Sequence, residues 1–196
     1  MRFAAFLRGI NVGGRHKLPM AEVRDVLSAL GARDVATYIQ SGNIVFSDED
    51  GGPRSAGRPP AAGRPVATGH PPAEGSAEDW ADAIALALEA HAGFAVPARV
   101  LAGADLVAAR DACPYAPEDP RFCHLVFLPE APSQEVVVEL RGLADGTDTE
   151  LTVEGRTAYL LTPGGLSKSK SAERILGRLG GTARNLRTVD EVARRL

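Results

Sequence analysis

Cysteine, lysine and asparagine are scarce in this chain of 196 residues, and it contains no long apolar run. The two cysteines, Cys113 and Cys123, lack the paired Cys-x-x-Cys spacing of a zinc site, and a chain of this size needs no disulfide framework. No run approaches the roughly 18 apolar residues of a membrane helix, and the short run near the start does not resemble a signal peptide. The sequence therefore predicts a cytoplasmic protein with reduced thiols, no metal site, no cofactor and no membrane partner.

Strong charge of one sign is also missing, since the net charge is −3 and the isoelectric point is near 5.8. This balance argues against a protein that grips duplex nucleic acid. The charge is nevertheless uneven. Residues 1–24 contain five arginines and lysines against one glutamate, and residues 164–196 contain eight against three acids. If both ends fold together they form one basic pole, which suits a small anionic ligand better than a long polyanion.

Hydrophobic periodicity and turn residues predict a β-α-β-β-α-β unit in residues 1–102. Within it, the proline- and glycine-rich segment 48–76 predicts a flexible insertion without a core. The β-α-β-β-α-β order is that of a ferredoxin-like unit. Its elements are a buried strand at 3–7, a helix from Met20 to Gly31, a hairpin around Ser41-Gly42, a helix N-capped by Ser76 with Asp79, and a strand at 94–102.

The second half repeats that order after a connecting helix and loop at 103–121. We therefore predict an α+β fold of tandem ferredoxin-like units, an internal duplication, with a C-terminal helix that Thr188 and Glu191 begin as a capping box. The segment 133–143 is predicted as a helix, although its three consecutive valines also suit a strand. The elements of the second unit, 122–196, are a strand at 122–128, a helix at 133–143, a hairpin at 149–162, a helix at 170–180, a short strand at 182–187 and the terminal helix.

The topology of such a unit predicts where a ligand would bind. Its first two strands run parallel and end at the same edge of the sheet, which brings the Arg-Gly-Ile-Asn-Val-Gly-Gly loop at 8–14 beside the Ser-Gly-Asn turn at 41–43. Glycine amides, a helix N-terminus and cationic side chains together make an anion site. The candidate ligand-binding residues of this cleft are Arg8, Asn11, Gly13, Gly14, Lys17, Ser41 and Asn43.

Residue usage adds a second group of candidates. The chain has 19 arginines but only three lysines and three asparagines, all six of which fall at 11–17, 43 and 168–185. Arginine is thus the generic cation of this chain, and a remaining lysine would serve where a compact ammonium is needed. The added candidates are Ser167, Lys168, Arg184 and Asn185.

Ordinary structural roles account for the same residues. Glycine and asparagine suit turns that require a positive φ. Lys168 and Lys170 fit solvated charges in front of a helix, and Arg184 and Asn185 fit the capping of helix ends. The sequence leaves these alternatives open beside ligand binding.

Two other functions would use the same surface. One is an enzyme with Lys17 or Lys168 as acid or base, with His16 as a weaker candidate. The other is a nucleic-acid-binding protein. We rank both behind ligand binding, because the sequence shows no nucleophile–base pair, no dinucleotide or P-loop glycine spacing and no RNA-binding aromatic motif.

Several short motifs together resemble the bacterial domain-of-unknown-function family 1697. They are RGINVGG, Pro-Met before a helix, YIQSGN, Ser-Lys before the helix predicted at 170–180, and TARN, and the resemblance covers nearly all of the chain apart from 48–76. It implies a two-part protein of ferredoxin-like α+β units whose activity is not established. The family signature falls on Arg8, Gly9, Asn11, Gly13, Gly14, Pro19, Met20, Gln40, Ser41, Gly42, Asn43, Ser167, Lys168, Thr182, Arg184 and Asn185.

This chain departs from the family pattern at two places. Ser169 and Lys170 stand where the family has Leu-Thr, and Leu186 stands where it has an aromatic residue. Any ligand ring that stacked on that aromatic side chain would lose the contact here.

Overall fold

The computed structural model describes residues 1–53 and 76–196. They form two compact units, Met1–Gly103 with Arg195–Leu196, and Ala104–Arg194. Most of the predicted flexible insertion at 48–76 lies outside the described residues, as does His70. Each unit has its own antiparallel sheet of four strands.

The first unit has the predicted β-α-β-β-α-β order. Its sheet runs β2-β3-β1-β4, with all neighbouring strands antiparallel. Because β1 and β2 are both antiparallel to β3, they are parallel to each other, as the cleft hypothesis requires. The elements are β1 (Arg2–Leu7), α1 (Met20–Ala29), β2 (Arg33–Tyr38), β3 (Asn43–Ser47), α2 (Ala77–Ala92) and β4 (Ala98–Ala102).

The core of this unit lies between the sheet and its two helices. Alternate residues of β1 and β3 face α1 and α2, because successive side chains of a strand point to opposite faces. Phe46 stacks on Phe3 with ring centroids 5.4 Å apart and meets Trp80 at 4.8 Å. The Ser76 capping box predicted at the start of α2 is confirmed, with Asp79 as its second member.

Asp48 anchors the chain where the predicted insertion begins. It is only 5% exposed, and it accepts hydrogen bonds from the Trp80 indole at 3.0 Å and from the amides of Asp50 and Gly51. Burial alone would raise the pKa of this carboxyl, but the hydrogen bonds outweigh it and hold the pKa below its ordinary value of 3.8. The carboxylate therefore stabilises the fold in its charged form.

We expect Asp48→Asn to remove part of the pH dependence of stability. A carboxyl whose pKa is lower in the folded state stabilises the fold above its unfolded pKa, and this contribution is lost as pH falls through the folded pKa. Urea unfolding from about pH 7 down to 2.5 should show a wild-type advantage that shrinks below about pH 4. The exposed Asp82 supplies the control Asp82→Asn. A difference between wild type and Asp48→Asn that does not change with pH would contradict the expectation.

The second unit repeats the strand order, β6-β7-β5-β8, again antiparallel throughout. The α+β fold of ferredoxin-like units is thus as predicted, and the segment with three valines is a helix, capped by Ser133. The elements are α3 (Gly103–Asp111), β5 (Cys123–Phe127), α4 (Gln134–Ala144), β6 (Glu150–Glu154), β7 (Thr157–Leu161), a 3₁₀ turn (Leu166–Lys168), α5 (Lys170–Leu179), β8 (Thr182–Asn185) and α6 (Leu186–Ala193).

The start of the terminal helix differs from the prediction. Helix α6 begins at Leu186, directly after β8, and the side chain of Asn185 caps it by accepting from the Thr188 amide at 2.9 Å. The predicted capping box at Thr188 and Glu191 is therefore wrong. Asn185 is the better cap because it has extended backbone angles at the point where the strand turns into the helix.

Candidate functional site

Asn11 ties the loop after β1 to the turn after β2. Its Nδ2 donates to the carbonyl oxygens of Leu18, at 2.9 Å, and Gln40, at 2.8 Å, while its Oδ1 accepts from the Leu18 amide at 2.9 Å. Its φ of +54° lies in the left-handed region, which asparagine tolerates better than most residues. The loop and the turn are thus neighbours, as the parallel arrangement of β1 and β2 predicts.

Asn43 organises the turn from inside the protein. Its side chain is fully buried, and Nδ2 donates to the carbonyl oxygen of Tyr38 at 3.1 Å and to Ser41 Oγ at 2.9 Å. The Leu7 amide donates to the Gly42 carbonyl oxygen at 2.8 Å, which fixes the turn against β1. The buried side chain of Asn43 shapes the turn and is not exposed to a ligand at its surface.

A cleft of about 500 Å³ lies at the start of α1. Of the predicted candidates, Asn11 and Lys17 line it, whereas Arg8, Gly13, Gly14 and Ser41 are not among its lining residues. Sequence reasoning missed Arg24, although helical periodicity places it one turn after Met20, on the same face of α1. The lining residues are Asn11, Lys17, Leu18, Pro19, Met20, Ala21, Arg24 and Gln40.

The charge of the cleft is positive. Lys17 is exposed, and Arg24 is held by a hydrogen bond from Nη1 to Thr37 Oγ1 at 3.0 Å. Among the described residues that line the cleft, none is acidic. Glu22 is in the first turn of α1, but its carboxylate is 2.7 Å from His91 Nε2. Two cationic side chains, Lys17 and Arg24, therefore line the cleft without an acidic neighbour among its lining residues.

The first turn of α1 adds amide donors to these cations. Pro19 is the N-cap residue, and no side chain caps the helix there. The first amides of a helix have no partner within the helix, and here the first intrahelical bond is from the Val23 amide to Pro19 O. Met20 and Ala21, the first two residues of the helix, both line the cleft. The positive end of the helix dipole thus points into the same space.

The rest of the loop after β1 is held by backbone geometry and by one aromatic contact. Gly13 and Gly14 are exposed and have positive φ values, the ordinary turn role left open by the sequence. His16 stacks on Phe94 at 4.4 Å between ring centroids, and its Nδ1 lies 3.0 Å from the carbonyl oxygen of Gly9. These contacts give His16 a positioning role in the loop.

One residue beside the cleft has an unusual backbone conformation. Ile39, in the turn next to Gln40, has a φ of +49° and is 52% exposed. A β-branched residue in the left-handed region is unusual, and such outliers cluster at functional sites.

The second group of candidates belongs to the second unit. Ser167 and Lys168 are exposed in the 3₁₀ turn, and Asn185 caps α6. Arg184 is largely buried on β8, where burial lowers its pKa to about 10, and its Nη1 donates to the Ala183 carbonyl oxygen at 2.8 Å. Asn185 thus has a structural role as a helix cap, and ligand binding by Ser167, Lys168, Arg184 and Asn185 stays a prediction.

Neither a metal-binding cluster nor a membrane-spanning helix occurs in the described residues. Within 1–53 and 76–196, no group of three or more histidine, cysteine, aspartate and glutamate side chains is placed to hold a metal ion. Over those ranges, no helix combines the length and the apolar character needed to span a membrane.

Comparison with known proteins places the chain in a family. Among curated proteins, none matches the sequence. The structure is similar to that of a conserved bacterial protein from Streptococcus pneumoniae, with a TM-score of 0.69 and 23% identity over 100% of this chain and 97% of the other. At that identity the likeness shows the fold alone. The family model described as "Protein of unknown function (DUF1697)" matches residues 1–58 and 71–159, well over half of the chain. The chain therefore belongs to the DUF1697 family of proteins of unknown function.

Proposed function

We propose that the cleft at the start of α1 binds a small anionic ligand, phosphorylated or nucleotide-like. One observation carries the proposal: Lys17, Arg24 and the uncapped first turn of α1 line the same cleft. Helix N-termini with free amides are ready-made sites for phosphate or carboxylate groups. A volume of about 500 Å³ lies within the range of small-molecule sites.

Some residues that line the cleft would neutralise the charge of an anionic ligand, and others determine the shape of the cleft. Lys17 supplies a mobile ammonium, and Arg24 supplies a planar guanidinium that Thr37 holds in place. The side chain of Asn11 is already bonded to main-chain groups at Leu18 and Gln40, so it sets the width of the cleft. Gln40 is exposed and offers an amide group for a polar part of the ligand.

The proposal is tested by a thermal-shift screen followed by titration calorimetry. The probes are inorganic phosphate, together with mononucleotides and sugar phosphates that are each paired with the corresponding uncharged nucleoside or sugar. We expect the anionic member of a pair to bind and the neutral member to bind much more weakly. Neutral members that bind as tightly as anionic ones would refute the proposal.

Lys17→Ala and Arg24→Ala are the decisive variants. A hydrogen bond to a charged group contributes about 1.5–3 kcal/mol, so each variant should weaken the best anionic probe by about 10- to 100-fold. Arg15 is the matched control, because it is an exposed cation of the same loop that is not among the lining residues of the cleft. Arg15→Ala should bind within about twofold of wild type. If all three variants bind the probe as tightly as wild type, this cleft is not its binding site.

A further inference from the structure

The two cysteines, expected from the sequence to be ordinary reduced thiols, lie close together in the second unit. Cys113 Sγ and Cys123 Sγ are 3.6 Å apart. Cys113 follows α3 and is half-buried, whereas Cys123 begins β5, one of the two inner strands of its sheet, and is fully buried. The pair therefore has one thiol within reach of solvent and one directly behind it.

The fold holds this pair together on both sides of Cys113. Before it, the carbonyl oxygen of Ala109 accepts from the Tyr159 hydroxyl of β7 at 2.8 Å. After it, the Tyr115 hydroxyl lies 3.0 Å from Thr152 Oγ1 of β6. The short distance between the two sulfur atoms therefore does not depend on the rotamer of one cysteine alone. Hydrogen bonds to β6 and β7 hold the segment that carries Cys113 in place.

We propose that Cys113 and Cys123 are a redox-active dithiol that exchanges with a small-molecule disulfide and closes an intramolecular disulfide, with Cys113 as the entry thiol. Disulfide formation needs the distance between the sulfur atoms to shorten from 3.6 Å to about 2.05 Å. The 3.6 Å separation gives the second sulfur a high effective concentration at the first.

The exchange has two balanced steps. The Cys113 thiolate attacks one sulfur of glutathione disulfide, forms a mixed disulfide and releases one glutathione thiolate. Cys123 then loses its proton to solvent, attacks the Cys113 sulfur and releases the second glutathione. Two protein thiols are oxidised to one disulfide, and one glutathione disulfide is reduced to two thiols.

The difference in exposure sets the order of these steps. Burial raises the pKa of the Cys123 thiol well above its usual range, which disfavours its thiolate and its direct reaction with a bulky reagent. Cys113 is more accessible. Cys123 therefore acts as the resolving thiol, and its short distance to Cys113 offsets its low thiolate population.

Mass spectrometry of the full chain incubated with excess glutathione disulfide tests the proposal. We expect a loss of two hydrogens and no retained glutathione. Trypsin cleaves after Arg121, between the two cysteines, so the disulfide should join the peptides 111–121 and 122–141. Wild type that stays unmodified, that accumulates a stable glutathione adduct, or that forms disulfide-linked dimers would overturn the proposal. This readout needs no variant and does not depend on the anion cleft.

Two variants test the order of the steps. Cys123→Ser should trap one glutathione on Cys113, because the resolving thiol is gone. Cys113→Ser should react more slowly than Cys123→Ser, by about tenfold or more, under the same native conditions. Comparable rates in the two variants would overturn the assignment of Cys113 as the entry thiol. Circular dichroism confirms that each variant is folded before the rates are compared.

Discussion

Gly42→Ala is expected to lower the free energy of unfolding by about 2–5 kcal/mol. Gly42 has a φ of +74°, which costs an L-residue about 1–2 kcal/mol. A Cβ at this position would lie 2.7 Å from Leu7 Cβ and 2.9 Å from Ile10 Cδ1, both on buried side chains. Overpacking of this kind adds about 1–3 kcal/mol. Urea unfolding of the two proteins measures the difference.

Gly14→Ala is the matched control, because Gly14 has the same φ of +74° but no atom within 4 Å of the added Cβ. It should show the backbone cost alone, about 1–2 kcal/mol. The excess in Gly42→Ala then measures the close approach of the turn to β1. Equal losses in the two variants would mean that Leu7 and Ile10 yield without cost.

Local sequence patterns predicted most of the fold because they coincide with the structural periods. The apolar residues of α1 and α2 recur with the helical period and form one core face, and Ser76 with Asp79 marks the start of α2 by a capping box. The short β-rich runs on either side of Ser41-Gly42 became a hairpin. Given the order of elements, the ferredoxin-like sheet follows with few alternatives.

The start of α6 was missed because two polar residues compete for the cap. Thr188 with Glu191 satisfies the local pattern, yet Asn185 caps the helix three residues earlier along the chain. The pairing of β8 with β5 extends to Asn185, opposite His124, so the helix begins where the strand pairing ends. That register is a long-range property, which a local capping pattern does not contain.

The rarity of asparagine turned out to mark backbone geometry. All three asparagine side chains bond to main-chain groups: Asn11 to Leu18 and Gln40, Asn43 to Tyr38, and Asn185 to Thr188. An arginine-rich chain retains asparagine where a short amide must satisfy a turn or a helix end. Of the six rare residues, Asn11 and Lys17 line the cleft at α1, and the direction of each side chain depends on packing that the sequence does not display.

Substitutions of Asn11 should also lower the free energy of unfolding strongly, because this one side chain joins the loop after β1 to the turn after β2. Its three hydrogen bonds contribute about 0.5–1.5 kcal/mol each, so Asn11→Gly should destabilise the protein by about 2–4 kcal/mol without backbone strain. Asn11→Ala should cost about 1–2 kcal/mol more, since φ is +54°. Asn11→Asp keeps an oxygen that accepts from the Leu18 amide. It replaces the Nδ2 donor with a carboxylate oxygen, which then faces the carbonyl oxygens of Leu18 and Gln40.

Hydrogen exchange separates a local effect on the cleft from global unfolding. In Asn11→Gly, amides at 8–18 and 39–42 should exchange faster at low denaturant, because the link from loop to turn is lost. Amides of β5 and β7 in the second unit serve as the internal control and should keep their protection. An Asn11→Gly protein with wild-type stability and wild-type exchange at 39–42 would show that the loop and the turn hold their positions independently. In that case the cleft would be organised by Leu7, Gly42 and buried Asn43 rather than by Asn11.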